Sequence, residues 1–275
     1  MNEQWAIIKQ PVFTIDNSPI KHCMKIKKYF TIAAALIFVN SANAQQFISK
    51  AMIEYEVKAN IQKTMGNNTF EEMIKENLPT FKTGYYTFTF ADNESIYKFD
   101  HWDAGPKLPE WLRQSDEENV WYYDYNTNKF NIQKNVWGSS FTVEDSIQPL
   151  QWRLTNENRV IAGFNCRKAV AKMFDSVYVF AFYTDEILIP GGPCSVNGLP
   201  GMILGVTIPR LFTSWIATKV TVNGVNESLI KPVAVKKSYT SKFLKSTVED
   251  RFKDWIPDND DERQQKYRYV WSILL

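Results

Sequence analysis

The stretch Ala51-Met52-Ile53-Glu54-Tyr55-Glu56-Val57-Lys58-Ala59 carries an apolar residue at every second position, with Glu54, Glu56 and Lys58 between them. Successive side chains of an extended chain point to opposite faces, so this period of two predicts a strand buried on one side only. The same signature recurs further along the chain. Residues 85–90 alternate aromatics with threonine, Asp92-Asn93-Glu94 supplies a turn, and 95–99 run back; residues 120–125, a turn at 126–128 and 129–133 make a second hairpin. Further strands are expected at 141–143, 159–161, 166–174, 177–183, 202–208, 214–222 and 231–236. Parallel strands need crossover helices, and these spacings leave no room for them. The expected fold is therefore mainly β, an antiparallel meander forming a strongly bent sheet or open half-barrel, with a C-terminal helix. That helix is predicted over 243–256, where Leu244, Val248, Phe252 and Trp255 share a stripe and Pro257 stops the chain. A shorter helix is expected over 70–77. The acidic cluster Asp258, Asp260, Asp261 and Glu262 reads as a solvated loop, and 267–275 as a last docked strand.

Ahead of this pattern lies a secretion signal. Lys25, Lys27 and Lys28 form a basic start, 29–39 an apolar run too short to span a bilayer, and Asn40-Ser41-Ala42-Asn43-Ala44 a small-residue cleavage site. The domain reading is an over-extended start at 1–23, a signal peptide at 24–44 cleaved after Ala44, and one β domain over 45–275. Residues 1–44 hold five Lys and two acidic residues, so 27 basic and 28 acidic residues follow. A near-neutral mature chain lacks the basic footprint of a nucleic-acid binder. No later segment is long and apolar enough for a transmembrane helix, and the expected location is periplasmic or secreted.

The run Gly198-Leu199-Pro200-Gly201-Met202-Ile203 reads as a tight turn feeding a buried strand: Pro200 presets φ and Gly201 supplies the positive φ of a type II turn. With Trp152-Arg153-Leu154, Ile161-Ala162-Gly163-Phe164-Asn165-Cys166-Arg167-Lys168-Ala169, Phe182-Tyr183-Thr184-Asp185-Glu186-Ile187 and Gly192-Pro193, it resembles the GLPGLI family over about residues 50–225, with Met202 standing where the family name has leucine. The resemblance implies secretion in Bacteroidota-type bacteria and a partner among TonB-dependent outer-membrane receptors.

The residues themselves offer little catalytic chemistry. His22 lies in the leader, leaving His101, beside Asp100 and Asp103, as the one imidazole for any nucleophile. No metal and no cofactor is expected, because Cys166, Cys194 and His101 are too few for a structural zinc site. The two cysteines read either as an exported-protein disulfide or as two buried thiols. Asp185 and Glu186 are the best carboxylates for a hydrolase, yet neighbours in an extended chain point apart. Finally, Trp102, Trp111, Trp121 and Tyr123 belong to a dense aromatic segment. It reads either as sheet packing or as a ring-lined concave face for a glycan, an acyl chain or a partner. The expected function is partner binding at the cell envelope without catalysis, with a carrier of a lipid or other hydrophobic ligand and a carboxylate-dependent hydrolase as alternatives.

Overall fold

The computed structural model describes residues 48–66, 69–234 and 237–275. The leader and start readings, residues 1–44, lie outside the described residues. Eleven strands form one antiparallel sheet: β1 (Ala51–Asn60), β2 (Phe81–Ala91), β3 (Glu94–Trp102), β4 (Val120–Asp124), β5 (Lys129–Val136), β6 (Ser139–Ser146), β7 (Arg153–Ile161), β8 (Phe164–Met173), β9 (Val177–Thr184), β10 (Met202–Ile208) and β11 (Thr213–Thr221). Their spatial order is β6-β5-β4-β3-β2-β1-β11-β10-β9-β8-β7. The chain meanders from the centre to one edge, crosses to the other, and meanders back until β11 pairs with β1.

That crossing dictates the shape. Strands lie about 4.8 Å apart, so a flat sheet of this width would separate β6 from β7 by roughly 48 Å. The residues 147–152 that join them reach at most about 25 Å fully extended. The sheet must therefore curl, and because β6 and β7 do not pair it stays an open half-barrel rather than a closed barrel.

The period of two is realised in β1, where Ala51, Ile53, Tyr55 and Val57 are buried on the concave side and Met52 and Lys58 are exposed. Residues 185–201, between β9 and β10, fill that side. Ile187, Ile189, Cys194, Val196 and Leu199 join Tyr55, Phe88, Phe90, Tyr97, Trp121, Tyr123 and Tyr183 in one core. Each aliphatic side chain so buried contributes roughly 1.5–3 kcal/mol. Hydrogen bonds fix the segment from several sides. Tyr55 Oη donates to Ile203 O at 2.5 Å, Tyr123 Oη to Cys194 O at 3.1 Å and Trp152 Nε1 to Asn197 O at 2.9 Å. Ser195 Oγ donates to Leu275 O. The Gly198 amide donates to Pro190 O within the segment, and the amides of Met202 and Ile203 at the start of β10 donate to Ile187 O and Gly191 O.

Short helices α1 (Ile61–Thr64), α2 (Thr69–Lys75) and α3 (Glu110–Glu118) gather near β2 and β3 around Ile61, Leu78 and Leu108. Helices α4 (Ser241–Phe252) and α5 (Asp260–Leu274) pack Leu244, Val248 and Val270 on Val136 and Val143, covering the β6 side. Tyr239 also bridges to β6, donating to Thr142 O at 2.8 Å and accepting from Glu144 N at 2.9 Å. The opposite edge, β7, is blunted by an irregular register between Leu154 and Asn158.

Four expectations are corrected. Residues 267–275 are helical, because Tyr267, Val270, Trp271 and Leu274 follow the i, i+3, i+4, i+7 spacing; Tyr267 stacks on Trp271 at 5.5 Å. The acidic cluster is the start of α5: Asn259 caps Glu262 N at 2.9 Å, and acidic side chains favour a helix N-terminus. The described residues of 231–236 form no strand. Gly201 does not hold the φ near +80° that a type II turn needs; its φ is +159°. Glycine is required there by close approach, since a Cβ would lie 2.1 Å from Thr184 O and 2.9 Å from Thr184 C.

This yields a test by paired substitution. Gly138 has φ +77° with nothing within 4 Å of an added Cβ. Gly201→Ala is expected to lower urea-unfolding stability by about 3 kcal/mol, against about 1 kcal/mol for Gly138→Ala. Equal losses would mean that the contact with Thr184 does not select glycine.

Candidate functional site

The site begins at the end of β3. Trp102 pairs with Gly84 across the strands, and the absent side chain at Gly84 lets the indole lie on β2, where a Cβ would sit 3.1 Å from the ring. Phe99 backs the ring at 4.7 Å between centroids. Glu117 of α3 orients it, accepting from Trp102 Nε1 at 2.6 Å and from Arg113 at 2.8 Å. Asp116, one residue before, pairs with Lys82 at 2.5 Å and accepts from Tyr86 Oη at 2.6 Å. Helix α3 is thus pinned to β2 and β3 by two consecutive carboxylates. Between it, the strands and the loop before it lies a cleft of about 250 Å³, floored by Phe81, Trp102 and Leu108 and rimmed by Asp103, Lys107 and Arg113. Phe81 is 46% exposed, with Lys58 Nζ 4.6 Å above its ring, and Trp111 on α3 is 58% exposed.

Of the four aromatic candidates, Trp102 lines this cleft and Trp111 is carried on the same helix as Arg113. Trp121 and Tyr123 do not join them. Two apart on β4, they share a face and are buried in the core, Trp121 at 5.4 Å from Tyr97 and Tyr123 at 5.9 Å from Phe130. The acidic run Asp116-Glu117-Glu118 is the last part of α3. The signals for that helix were Pro109 just before it and the Arg113–Glu117 pair one turn apart.

The other candidates lie apart. His101 is exposed, stacked on Tyr85 at 4.7 Å and bonded through Nδ1 to Asp100 at 2.7 Å. Asp185 and Glu186 are exposed at the end of β9, with Glu186 accepting from Asn165 N at 3.3 Å. The signature residues Gly198, Leu199, Pro200 and Gly201 close the segment that fills the concave face, and Leu199 is fully buried. Of the two readings of Cys166 and Cys194, the structure has the buried thiols: both are free and buried. Burial pushes their thiols up to about 11 and about 12 respectively, leaving them protonated and unreactive at neutral pH.

Sequence reasoning passed over Lys134. On β5, buried at 3% exposure, it places Nζ 4.8 Å from the Trp121 ring and forms no ion pair among the described residues. The neighbouring Tyr97 Oη and Trp121 Nε1 have no hydrogen-bond partner there either. Burial lowers the Lys134 ammonium to about 8. Between pH 8 and 10.5 the unfolded chain therefore holds a proton at this residue that the folded chain has lost, so this residue's contribution to stability rises with pH. Lys134→Met is expected to be more stable than the wild type at pH 7.5, and that advantage should shrink by about 2 kcal/mol at pH 9.5 in paired urea melts. A constant difference would contradict a desolvated ammonium.

No family model and no curated protein matches the chain. Among solved structures it is similar to PNGF-II in its C2 space group, with TM-score 0.48 and 12% identity over 72% of this chain and 32% of that one. PNGF-II in P21 gives TM-score 0.47 and 13% identity over 75% and 33%. An uncharacterized conserved protein from Thermus thermophilus gives TM-score 0.35 and 8% identity over 74% and 97%. The chain spans about a third of the length of the PNGF-II chains.

Proposed function

We propose that the protein is an exported cell-envelope component that captures a partner protein without catalysis, the partner belonging to a TonB-dependent outer-membrane receptor system. The receptor association rests on the resemblance of residues 50–225 to the GLPGLI family, and export rests on the signal at 24–44. The observation that carries partner capture is the cleft beside α3: its apolar floor includes the half-exposed Phe81, its rim is charged, and a second large aromatic, Trp111, is held in solvent on the same helix. At about 250 Å³ the cleft falls below the roughly 300–1,000 Å³ of small-molecule sites. It suits one anchoring side chain of a partner, the arrangement found at interface hot spots.

The carrier alternative lacks space on the concave face, where residues 185–201 take the place of a ligand. Against the hydrolase alternative, the hydrogen bonds of Glu186 among the described residues run to the Asn165 amide and, from its own amide, to the Thr184 hydroxyl.

The test places a photo-crosslinking residue at Trp111 and, as a remote control, at the exposed Tyr178, with the chain presented to a detergent extract of its native envelope. Crosslinking of a receptor subunit from position 111 alone supports the reading. Phe81→Ala combined with Trp111→Ala is expected to weaken capture about 30-fold without a change in melting temperature. Undiminished capture by that variant would contradict it.

A further inference from the structure

A second, larger cleft lies at the far end of β1, where α1, the one-turn 3-10 helix Pro209–Leu211 and α5 meet. Its volume is about 650 Å³, within the range of small-molecule sites. Met65, Phe212, Trp255 and Tyr269 give it apolar walls. Two cations share one of these walls: Lys63 Nζ and the Arg268 guanidinium carbon each lie 5.7 Å from the Phe212 ring centre. Neither forms an ion pair among the described residues, and the buried Arg268 Nε has no hydrogen-bond partner there. Phe212 is itself held at φ +49°, a conformation costly for a bulky residue, with its carbonyl accepting from Asn60 N at 3.0 Å. Strain of this kind persists where the surroundings over-determine it.

The lining also holds three carboxylates, Glu71, Asp261 and Glu262. Glu71 accepts from Gln265 at 2.7 Å, and Glu262 accepts from the Asp258 amide at 3.1 Å, so both are engaged. Asp261 is exposed, and it lies seven residues before Arg268 on the same face of α5. It is close enough to favour the charged guanidinium, yet the two do not pair. Burial meanwhile lowers Arg268 from its usual value, the mark of a cation whose water has been partly removed without a partner in return. Unpaired charges of opposite sign, Lys63 and Arg268 against Asp261, line one cleft that also has apolar walls, which leaves space for a molecule with complementary ends.

We infer that this cleft binds a small zwitterion with an apolar body, an α-amino acid or short peptide, its carboxylate on Arg268 and Lys63 and its ammonium on Asp261. The apolar side chain rests against Trp255 and Tyr269. This site is separate from the α3 cleft and independent of the partner-capture reading.

The experiment is titration calorimetry on the chain with the dipeptide leucyl-phenylalanine, its N-acetyl form and its C-terminal amide. Saturable binding of the free dipeptide is expected, weakened at least about 10-fold by either modification, since each removes one charged contact. Arg268→Gln and the exposed Lys63→Gln should each weaken the free dipeptide and narrow its advantage over the amide. Asp261→Asn should do the same against the N-acetyl form. Three results would overturn the assignment: no saturable binding up to about 5 mM, equal binding of all three compounds, or unchanged affinity in the Lys63→Gln variant. The last applies whether or not Arg268→Gln folds.

Discussion

The concave face of a sheet this wide has to be covered, and the molecule covers it with its own residues 185–201. A sheet that is apolar on one side is stable only when another layer buries that side. Here the layer is a loop and not a set of helices, and it is chosen by chain geometry. The link at 147–152 forces the sheet to curl, and the space inside the curl is narrow enough for one segment of irregular chain. Irregular backbone inside a core carries unpaired polar groups unless each finds a partner. The tyrosine and tryptophan side chains that reach inward meet this need at Cys194 and Asn197, and Tyr55 bonds the Ile203 carbonyl just beyond the segment in β10. The aromatic richness of the sheet is thus explained at several positions by a polar tip on a large apolar body.

The same packing separates the two clefts from the core. The rings of Trp121 and Tyr123 turn inward because they share the face of β4 that meets the loop. Trp102 and Trp111 remain outside because β3 ends at Trp102 and the chain leaves the sheet for α3. The second cleft sits where the sheet's β1 end meets α5, and its lining brings Lys63 of α1 together with Asp261 and Arg268 of α5. Neither surface depends on the concave face, whose interior is occupied.

Much of the fold was legible. The alternation at 51–59, the hairpin at 85–99 and the turn at 126–128 specify strands locally, and the absence of room for crossovers specifies antiparallel pairing. The C-terminal helix pair was read only by half. Residues 267–275 have enough apolar content for either a strand or a helix, and the deciding i, i+4 pair Tyr267–Trp271 is hidden by the polar residues around it. The role of Gly201 was legible as a need for glycine but not as its cause, because contact with Thr184 joins two strands through the fold and leaves no local trace. For the same reason the second cleft was invisible: Lys63, Phe212, Asp261 and Arg268 belong to three separate stretches of chain, and each reads alone as an ordinary surface or helix residue. The disulfide reading followed from compartment and cysteine count, which say nothing about where the fold places each thiol.

The central claim is that residues 185–201 form part of the core and do not act as a lid over a ligand space. Native-state hydrogen exchange tests it most directly at the amides of Gly198, Met202 and Ile203, which donate to the Pro190, Ile187 and Gly191 carbonyls of the segment. The account predicts that these amides exchange only through global unfolding, with the same opening free energy as amides of β1 and β9. Exchange at a much lower opening free energy, with the sheet still protected, would contradict it and would return the concave face to a hydrophobic ligand.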